Sequence, residues 1–258
     1  MRRRFPLLDL DPDLGALVRE EVRDACRREL DVEVHRLPQG PWGAGGEHAD
    51  AEHAGLLMVD GVIARDVVVS DTVSTELLGP GDVVRPWSLQ ASPGLLRSTI
   101  RWTALTDVRV GVLDRWFAGR LARWPEVNVA LLDRLNERTD RLATTQAISQ
   151  LNRVDRRLLS LFWHLAERWG RMTPEGVAIP LTLSHRMLGQ LVGARRPTVS
   201  SAIGELASRD ELVRRDDGTW LLKGDPVGAP TGDAERWVPI RRRLLAELPD
   251  EKLGLETP

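Results

Sequence analysis

One stretch, Ser184 to Leu206, leaves the backbone few options: Ser-His-Arg-Met-Leu-Gly-Gln-Leu-Val-Gly-Ala-Arg-Arg-Pro-Thr-Val-Ser-Ser-Ala-Ile-Gly-Glu-Leu. Ser184 is a good helix N-cap, and Met187, Leu188, Leu191 and Val192 then recur with helical spacing to give one apolar face. Gly193 can take a positive φ and end that helix sharply, while Pro197 suits the first turn of another, where its missing N–H costs nothing. Val199, Ala202, Ile203 and Leu206 supply the second apolar face. Gly189 has no side chain, so the second helix can lie close to the first. Two short helices joined at a glycine turn make a helix-turn-helix. A plain packing hairpin has the same pattern.

The residues left outside the apolar faces separate these readings. Between Ser184 and Gly204 there is no Asp or Glu, whereas Arg186, Arg195 and Arg196 are all present. Arg195, Arg196, Pro197, Thr198, Ser200 and Ser201 lie at the start of the second helix, the end that enters a major groove in helix-turn-helix proteins. An arginine there can present two parallel donors to guanine O6 and N7, and hydroxyls there can reach phosphates. Downstream, Leu212-Val213-Arg214-Arg215 and Trp220-Leu221-Leu222 flank Asp217-Gly218, a favoured hairpin turn. This hairpin reads as a wing, with Arg214 and Arg215 beside the nucleic-acid backbone.

Upstream, the period of the sequence changes. From about residue 30 to 114 short β-branched runs alternate with tight turns: Val32 and Val34, a loop over Pro38–Gly46, a hairpin at Asp60-Gly61, Val67–Val69, strand–turn–strand over Leu77–Val84, Ile100 and Trp102, and Val108, Val110 and Val112. This predicts a compact all-β unit, preceded by a surface helix over Asp11–Arg28. From Pro125 the period becomes helical. Leu131, Leu135, Arg138, Leu142 and Thr145 follow at alternating spacings of four and three, a heptad-like seam. A lone helix cannot bury such a stripe. It packs either on the same helix of a second chain or on its own β-unit, and the pattern does not choose. Asn152 is placed to cap a further helix, with Asp155 in its first turn, running to about Gly170. The fold expected is therefore α+β, with an all-β unit at 1–114, a connecting helix at 115–150, a winged helix-turn-helix at 151–224, and a linker with a short amphipathic helix at 225–258.

Composition removes other classes. The formal charge of −2 is small, but 1–114 is net acidic and 151–223 net basic, so the cationic surface is local. No apolar run is long enough to cross a bilayer. The single cysteine, Cys26, forms no internal disulfide and reads as a half-buried helix residue; a cytoplasmic location follows. There is no nucleophile–base pair, P-loop or dinucleotide fingerprint, so no enzyme is expected. No metal-ligand cluster stands out either: His48 and His53, beside Glu47 and Glu52, read as a solvated loop.

Taken in this order, the chain resembles the cyclic-AMP receptor protein/FNR (Crp/Fnr) family of bacterial regulators over nearly its whole plan, most closely at Leu188–Val199. The resemblance implies a β-roll sensor domain of the cyclic-nucleotide-binding type (a double-stranded β-helix), a long dimerisation helix carrying the Leu131–Thr145 seam, and a winged helix. It implies that Arg196 reads a base, that His185, Arg195 and Thr198 touch phosphates, and that the partners are double-stranded DNA, a second copy of the chain and, for an activator, RNA polymerase. Pro197 stands where the family commonly has an acidic base-reading residue, and Ser201 where it has a second arginine, which implies a divergent operator. Gly79-Pro80-Gly81-Asp82 resembles the turn before the family's cyclic-nucleotide cassette. Val83-Val84-Arg85-Pro86 then follows in place of a Gly-Glu pair, and Arg97-Ser98-Thr99 resembles the phosphate-binding half. The effector residues implied are thus Arg85, Arg97, Ser98 and Thr99, with a cyclic nucleotide as candidate ligand and an incomplete cassette. A second functional reading is a small-molecule sensor acting mainly through protein contacts.

Overall fold

A computed structural model of the chain describes residues 4–43, 53–86 and 95–225. The short helix expected beyond residue 225, and His48, lie outside the described residues. The chain divides into two compact units, with the boundary along the chain between Thr144 and Thr145.

The first unit opens with β1 (Arg4–Pro6), α1 (Leu7–Leu10), a 3-10 turn (Pro12–Gly15) and α2 (Glu20–Glu29). The single helix expected over Asp11–Arg28 is therefore broken. Pro12 starts the 3-10 turn, and Gly15 lies so close to Leu8 that an added Cβ would sit 3.0 Å from its side chain. The strands are β2 (Asp31–Leu37), β3 (Gly40–Trp42), β4 (Gly55–Asp60), β5 (Ile63–Val69), β6 (Thr72–Leu78), β7 (Val83–Val84), β8 (Ser98–Ala104) and β9 (Val108–Leu113). They form two antiparallel sheets, ordered β1-β2-β9-β4-β7 and β3-β8-β5-β6.

Two of the turns do a different job from the one expected. Asp60-Gly61 does not close a hairpin: β4 pairs with β7 and β9, while β5 pairs with β6 and β8. The chain changes sheet there, with Gly61 at φ 81° pressed against Asp107 O. The Gly79–Asp82 turn likewise carries the chain from β6 in one sheet to β7 in the other, and the Asp82 carboxylate closes it by accepting from Gly79 N at 2.9 Å. The true hairpin joins β5 and β6 at Ser70-Asp71, with Ser70 at φ 55°. Part of the expected Pro38–Gly46 loop is strand, since β3 pairs with β8.

Strand alternation builds two cores on the two faces of the first sheet. Leu56, Met58, Val84, Val110 and Val112 face the second sheet, where Ile63, Leu78 and Trp102 meet them. Leu57 and Val83, one residue out of phase, join Leu7, Leu14, Leu30 and Phe117 in a core made with the helices. Cys26 lies in this core at 0% exposure, so it is fully rather than half buried. Burial, with Glu126 and Glu29 nearby, pushes its thiol up to about 11. That environment suppresses the thiolate a redox sensor needs.

Helices α3 (Arg115–Leu121) and α4 (Pro125–Ser149) follow. α4 is fastened to the β-unit by three arginines at spacings of four and three. Arg134 reaches Asp11 at 3.2 Å, Arg138 grips Glu76 at 2.6 and 2.9 Å, and Arg141 pairs with Asp82. Glu76 also receives Arg65 at 2.9 Å. Burial pushes the Glu76 carboxyl up, but the Arg138 and Arg65 guanidiniums outweigh it and hold it below the usual carboxylate range.

The second unit contains the end of α4, then α5 (Val154–Trp169), β10 (Arg171–Thr173), β11 (Gly176–Ile179), α6 (His185–Val192), α7 (Arg196–Ser208), β12 (Leu212–Arg214) and β13 (Trp220–Leu222), with a sheet ordered β10-β11-β13-β12. The α5 cap is Arg153, not Asn152. The Arg153 guanidinium turns onto Asp155 at 3.0 Å, and Arg209 reaches the same carboxylate at 3.2 Å. Phe162 packs on Trp220 with ring centroids 4.9 Å apart, joining helix to wing strand.

Candidate nucleic-acid interface

α6 begins where Ser184 Oγ accepts from Met187 N at 3.2 Å, and ends at Gly193, which takes φ 65° and ψ 44°. Ala194 N donates back to Gly189 O at 2.9 Å. A Cβ on Gly189 would stand 2.4 Å from Ala194 O, so close approach of the turn requires the glycine. Arg157 of α5 braces the turn by donating to Val192 O at 3.3 Å and Gly193 O at 3.4 Å. Sequence reasoning passed over Arg157, because a charged residue on an amphipathic helix reads as solvated.

α7 starts with Pro197 in its first turn and buries Val199, Ala202, Ile203 and Leu206. Arg195, Arg196, Pro197, Thr198, Ser200, Ser201 and Gly204 are exposed. With 100° per residue, Pro197, Ser201 and Gly204 form the ridge furthest from the buried face. The leading end of α7 is thus open to solvent.

The hydroxyls are already engaged. Ser200 Oγ donates to Arg196 O at 3.1 Å and Ser201 Oγ to Pro197 O at 3.3 Å. His185, half-buried at the start of α6, places Nδ1 2.8 Å from Ser200 Oγ. Burial and the fields of Arg214 and Arg196 hold the His185 imidazole below its ordinary value of 6.5. Across the wing, Arg214 pairs with Trp220 in register and its guanidinium lies 5.8 Å from that ring's centroid. At the wing tip Gly218 takes φ 82°, and Asp217 accepts from Thr219 N at 2.9 Å and Oγ1 at 2.5 Å. Among the described residues, no ion pair to a carboxylate engages Arg186, Arg195, Arg196, Arg214 or Arg215, whereas Arg153, His164, Arg209 and Lys223 of this unit each have one.

Residues 152–226 match the family model described as the Crp-like helix-turn-helix domain. The CRP-like cAMP-activated global transcriptional regulators of two Mycobacterium tuberculosis strains are 34% identical over 156 residues, which is 58% of this chain. The chain thus carries a Crp-like helix-turn-helix domain and is similar to regulators of the Crp/Fnr family. It spans 65% of the length of those curated relatives. Among solved structures, the chain is similar to a cyclic nucleotide-binding domain containing protein from Listeria monocytogenes (TM-score 0.60, 16% identity, 83% of this chain and 97% of that one). It is also similar to a CooA mutant from Carboxydothermus hydrogenoformans (TM-score 0.59, 18% identity, 75% of this chain and 84% of that one). These likenesses give the fold: a cyclic-nucleotide-binding-type β-roll and a C-terminal helix-turn-helix.

The other residues named from the sequence fall as follows. Arg85 follows β7 and is exposed; Arg97 precedes β8, and Ser98 and Thr99 open that strand, all three exposed. Residues 87–94, between the two groups, lie outside the described residues. On α4 the expected seam divides. Leu131 is buried in the first unit's core and Arg138 is taken up by Glu76, so neither faces outward. Leu135 and Leu142 remain exposed at 42% and 41%, and Thr145 is half-buried. The outward stripe is instead Leu132, Leu135, Thr139 and Leu142, again at spacings of three and four. Among the described residues, no helix is long and apolar enough to cross a membrane, and no group of three or more His, Cys, Asp or Glu is placed to hold a metal ion.

Proposed function

We propose that this chain is a dimeric, sequence-specific DNA-binding transcription regulator of the Crp/Fnr family that reads the major groove with the start of α7. The observation that carries this is the exposure of Arg195 and Arg196 at the leading end of α7, free of carboxylate partners, with Arg186 on α6 and Arg214 and Arg215 on the wing likewise exposed. Arg196 is the base reader, suited to a guanine. Arg195, Thr198, Arg186, Arg214 and Arg215 are the phosphate contacts. Since the Ser200 and Ser201 hydroxyls donate to α7's own carbonyls, they offer a target acceptor lone pairs rather than donors. With Pro197 on the same ridge, the operator should depend heavily on the base facing Arg196.

The second copy of the chain docks on the exposed α4 stripe of Leu132, Leu135 and Leu142, an apolar seam of the coiled-coil kind. A two-fold dimer then binds half-sites about one helical turn, ~10 bp, apart. An effector at the β-unit modulates binding. Cyclic AMP is the first to try, because the mycobacterial relatives are described as activated by it, and Arg97, Ser98 and Thr99 are the residues to substitute. For an activator, RNA polymerase is the further partner, and the working compartment is the cytoplasm.

The deciding experiment is selection of duplexes from a random pool by the full chain, with and without a metabolite panel. A two-fold consensus is expected, with one strongly constrained base pair per half-site that relaxes in Arg196→Ala. Recovery of no consensus, or an unaltered consensus with Arg196→Ala, would refute the assignment.

A further inference from the structure

The contact between α6 and α7 carries a hydrogen-bond relay with a direction. Arg196 O is a carbonyl and can only accept, so the Ser200 hydroxyl hydrogen, 3.1 Å away, is donated to it. Ser200 Oγ then meets His185 Nδ1, at 2.8 Å, with its lone pairs. That contact is a hydrogen bond only if Nδ1 carries hydrogen. In the neutral ring the other nitrogen, Nε2, is consequently a bare acceptor.

The inference rests on the reading of α7 as the DNA-facing helix. Phosphate oxygens are acceptors, so a neutral His185 in this tautomer turns a lone pair on them. Its imidazolium turns an N–H donor and a positive charge on them, while keeping the bond to Ser200. We propose that His185 is a titratable phosphate contact set in one tautomer by Ser200, so that acidification strengthens DNA binding. Ser200 is the positioning residue and His185 the contact.

The charged groups around the ring are cationic: Arg196 from α7, Arg214 from β12, and Arg186 next to it on α6. Burial, Arg214 and Arg196 hold the free ring below its ordinary value of 6.5. A phosphate's negative charge opposes the two arginine fields, so the ring's proton affinity is higher in the complex than in the free protein. A group whose pKa rises on binding favours the complex below the free-protein value, and that contribution disappears as pH rises through the bound-state value. Each ring contributes at most a tenfold change per pH unit over that window. A charge-assisted hydrogen bond of about 1.4–2.7 kcal/mol corresponds to roughly 10- to 100-fold in total.

The test is a titration of the full chain against a duplex recovered by selection, by fluorescence anisotropy from pH 5.5 to 8.0 at constant ionic strength. Wild type should bind at least tenfold more tightly at the acid end. His185→Gln, which cannot ionise, should show no rise in affinity on acidification, whatever its affinity at pH 8. Ser200→Thr keeps the hydroxyl and should keep the profile. Ser200→Ala frees the tautomer, lets the neutral ring turn Nε2–H on the phosphate, and should flatten the profile by strengthening binding at pH 8. Thermal melts verify that each variant is folded. An unchanged pH profile in His185→Gln would overturn the proposal while leaving the DNA-binding assignment standing. Failure of wild type to bind any duplex at any of these pH values would instead overturn that assignment.

Discussion

Arginine serves opposite purposes in the two units. On α4, Arg134, Arg138 and Arg141 are each matched to a carboxylate of the β-unit, and Arg134 retains only 7% side-chain exposure. On α6, α7 and the wing, arginines are gathered with no acid between Ser184 and Gly204 and stand exposed. The first arrangement spends the cation's field inside the protein and fixes a helix to a sheet. The second leaves the field outside, where it suits a polyanion. Lysine occurs only at 223 and 252, so both tasks fall to the planar guanidinium, which forms two parallel bonds to a carboxylate, a phosphate or a guanine edge. The chain's small net charge conceals this division.

The comparison is tested first by a surface that carries neither kind of arginine. If the outward stripe of α4 holds the dimer, Leu135→Glu with Leu142→Glu should give a folded monomer by analytical ultracentrifugation. Losing bivalency should weaken operator binding by about 10²- to 10⁴-fold. A double variant that stays dimeric would move the interface elsewhere.

Next in size is the paired class. Arg138→Met leaves Glu76 buried with Arg65 as its remaining partner, which should cost about 3 kcal/mol of stability. The pH dependence has a definite sign. Because Glu76 ionises more readily in the folded state than at its ordinary 4.5, its contribution is present above that value and lost as pH falls below it. Denaturant titrations at pH 7 and pH 4 should therefore bring wild type and Arg138→Met closer together at the lower pH. Equal gaps at both values would mean that Glu76 is not what Arg138 stabilises.

The exposed class should behave in reverse. Arg196→Ala should leave the melting temperature unchanged and cost about 1–3 kcal/mol of operator binding, with relaxed preference at one position per half-site. A clear loss of stability in this variant would place Arg196 in the structural class.

What could be read from the sequence follows the same line. The helix-turn-helix was legible because it is built from local signals: a Ser cap, a glycine at positive φ, a proline in the first turn and two apolar faces, all within 23 consecutive residues. The short strands were legible from alternation, but their pairing was not. Asp60-Gly61 has the chemistry of a hairpin turn and serves as a corner between sheets, because the partner of β4 is β9, some fifty residues on. The α4 seam divides between two faces for a related reason. A heptad pattern reports which residues recur, not which of two neighbouring faces the rest of the chain will cover. Arg138 looked like a polar interruption until Glu76, from a strand sixty-two residues earlier, was placed beneath it. Ser200 was taken as a hydroxyl free to reach the phosphate backbone. Its two bonds, one back along its own helix and one to His185, involve rotamers that composition does not encode.

The smallest effect expected is also the most discriminating between the two uses of arginine. Arg215 lies exposed beside the wing turn, and its backbone N–H donates to Thr219 O at 2.9 Å, a bond that survives truncation of the side chain. Arg215→Ala should therefore leave the hairpin folded. If its guanidinium faces phosphate, the variant should weaken specific and mixed-sequence duplexes equally, by a fewfold, and reduce the slope of log affinity against log salt by about 1 per protomer. The carboxylates at the tip, Asp216 and Asp217, supply the internal control. Asp217 is held low by its bonds to Thr219 and carries its charge at neutral pH, so Asp216→Asn, which removes one repulsive charge next to Arg215, should strengthen binding to both duplexes. Opposite signs for these two neighbours would mean that the wing meets the backbone. A flat response to both would place it away from the DNA and leave α6 and α7 to supply the contacts alone.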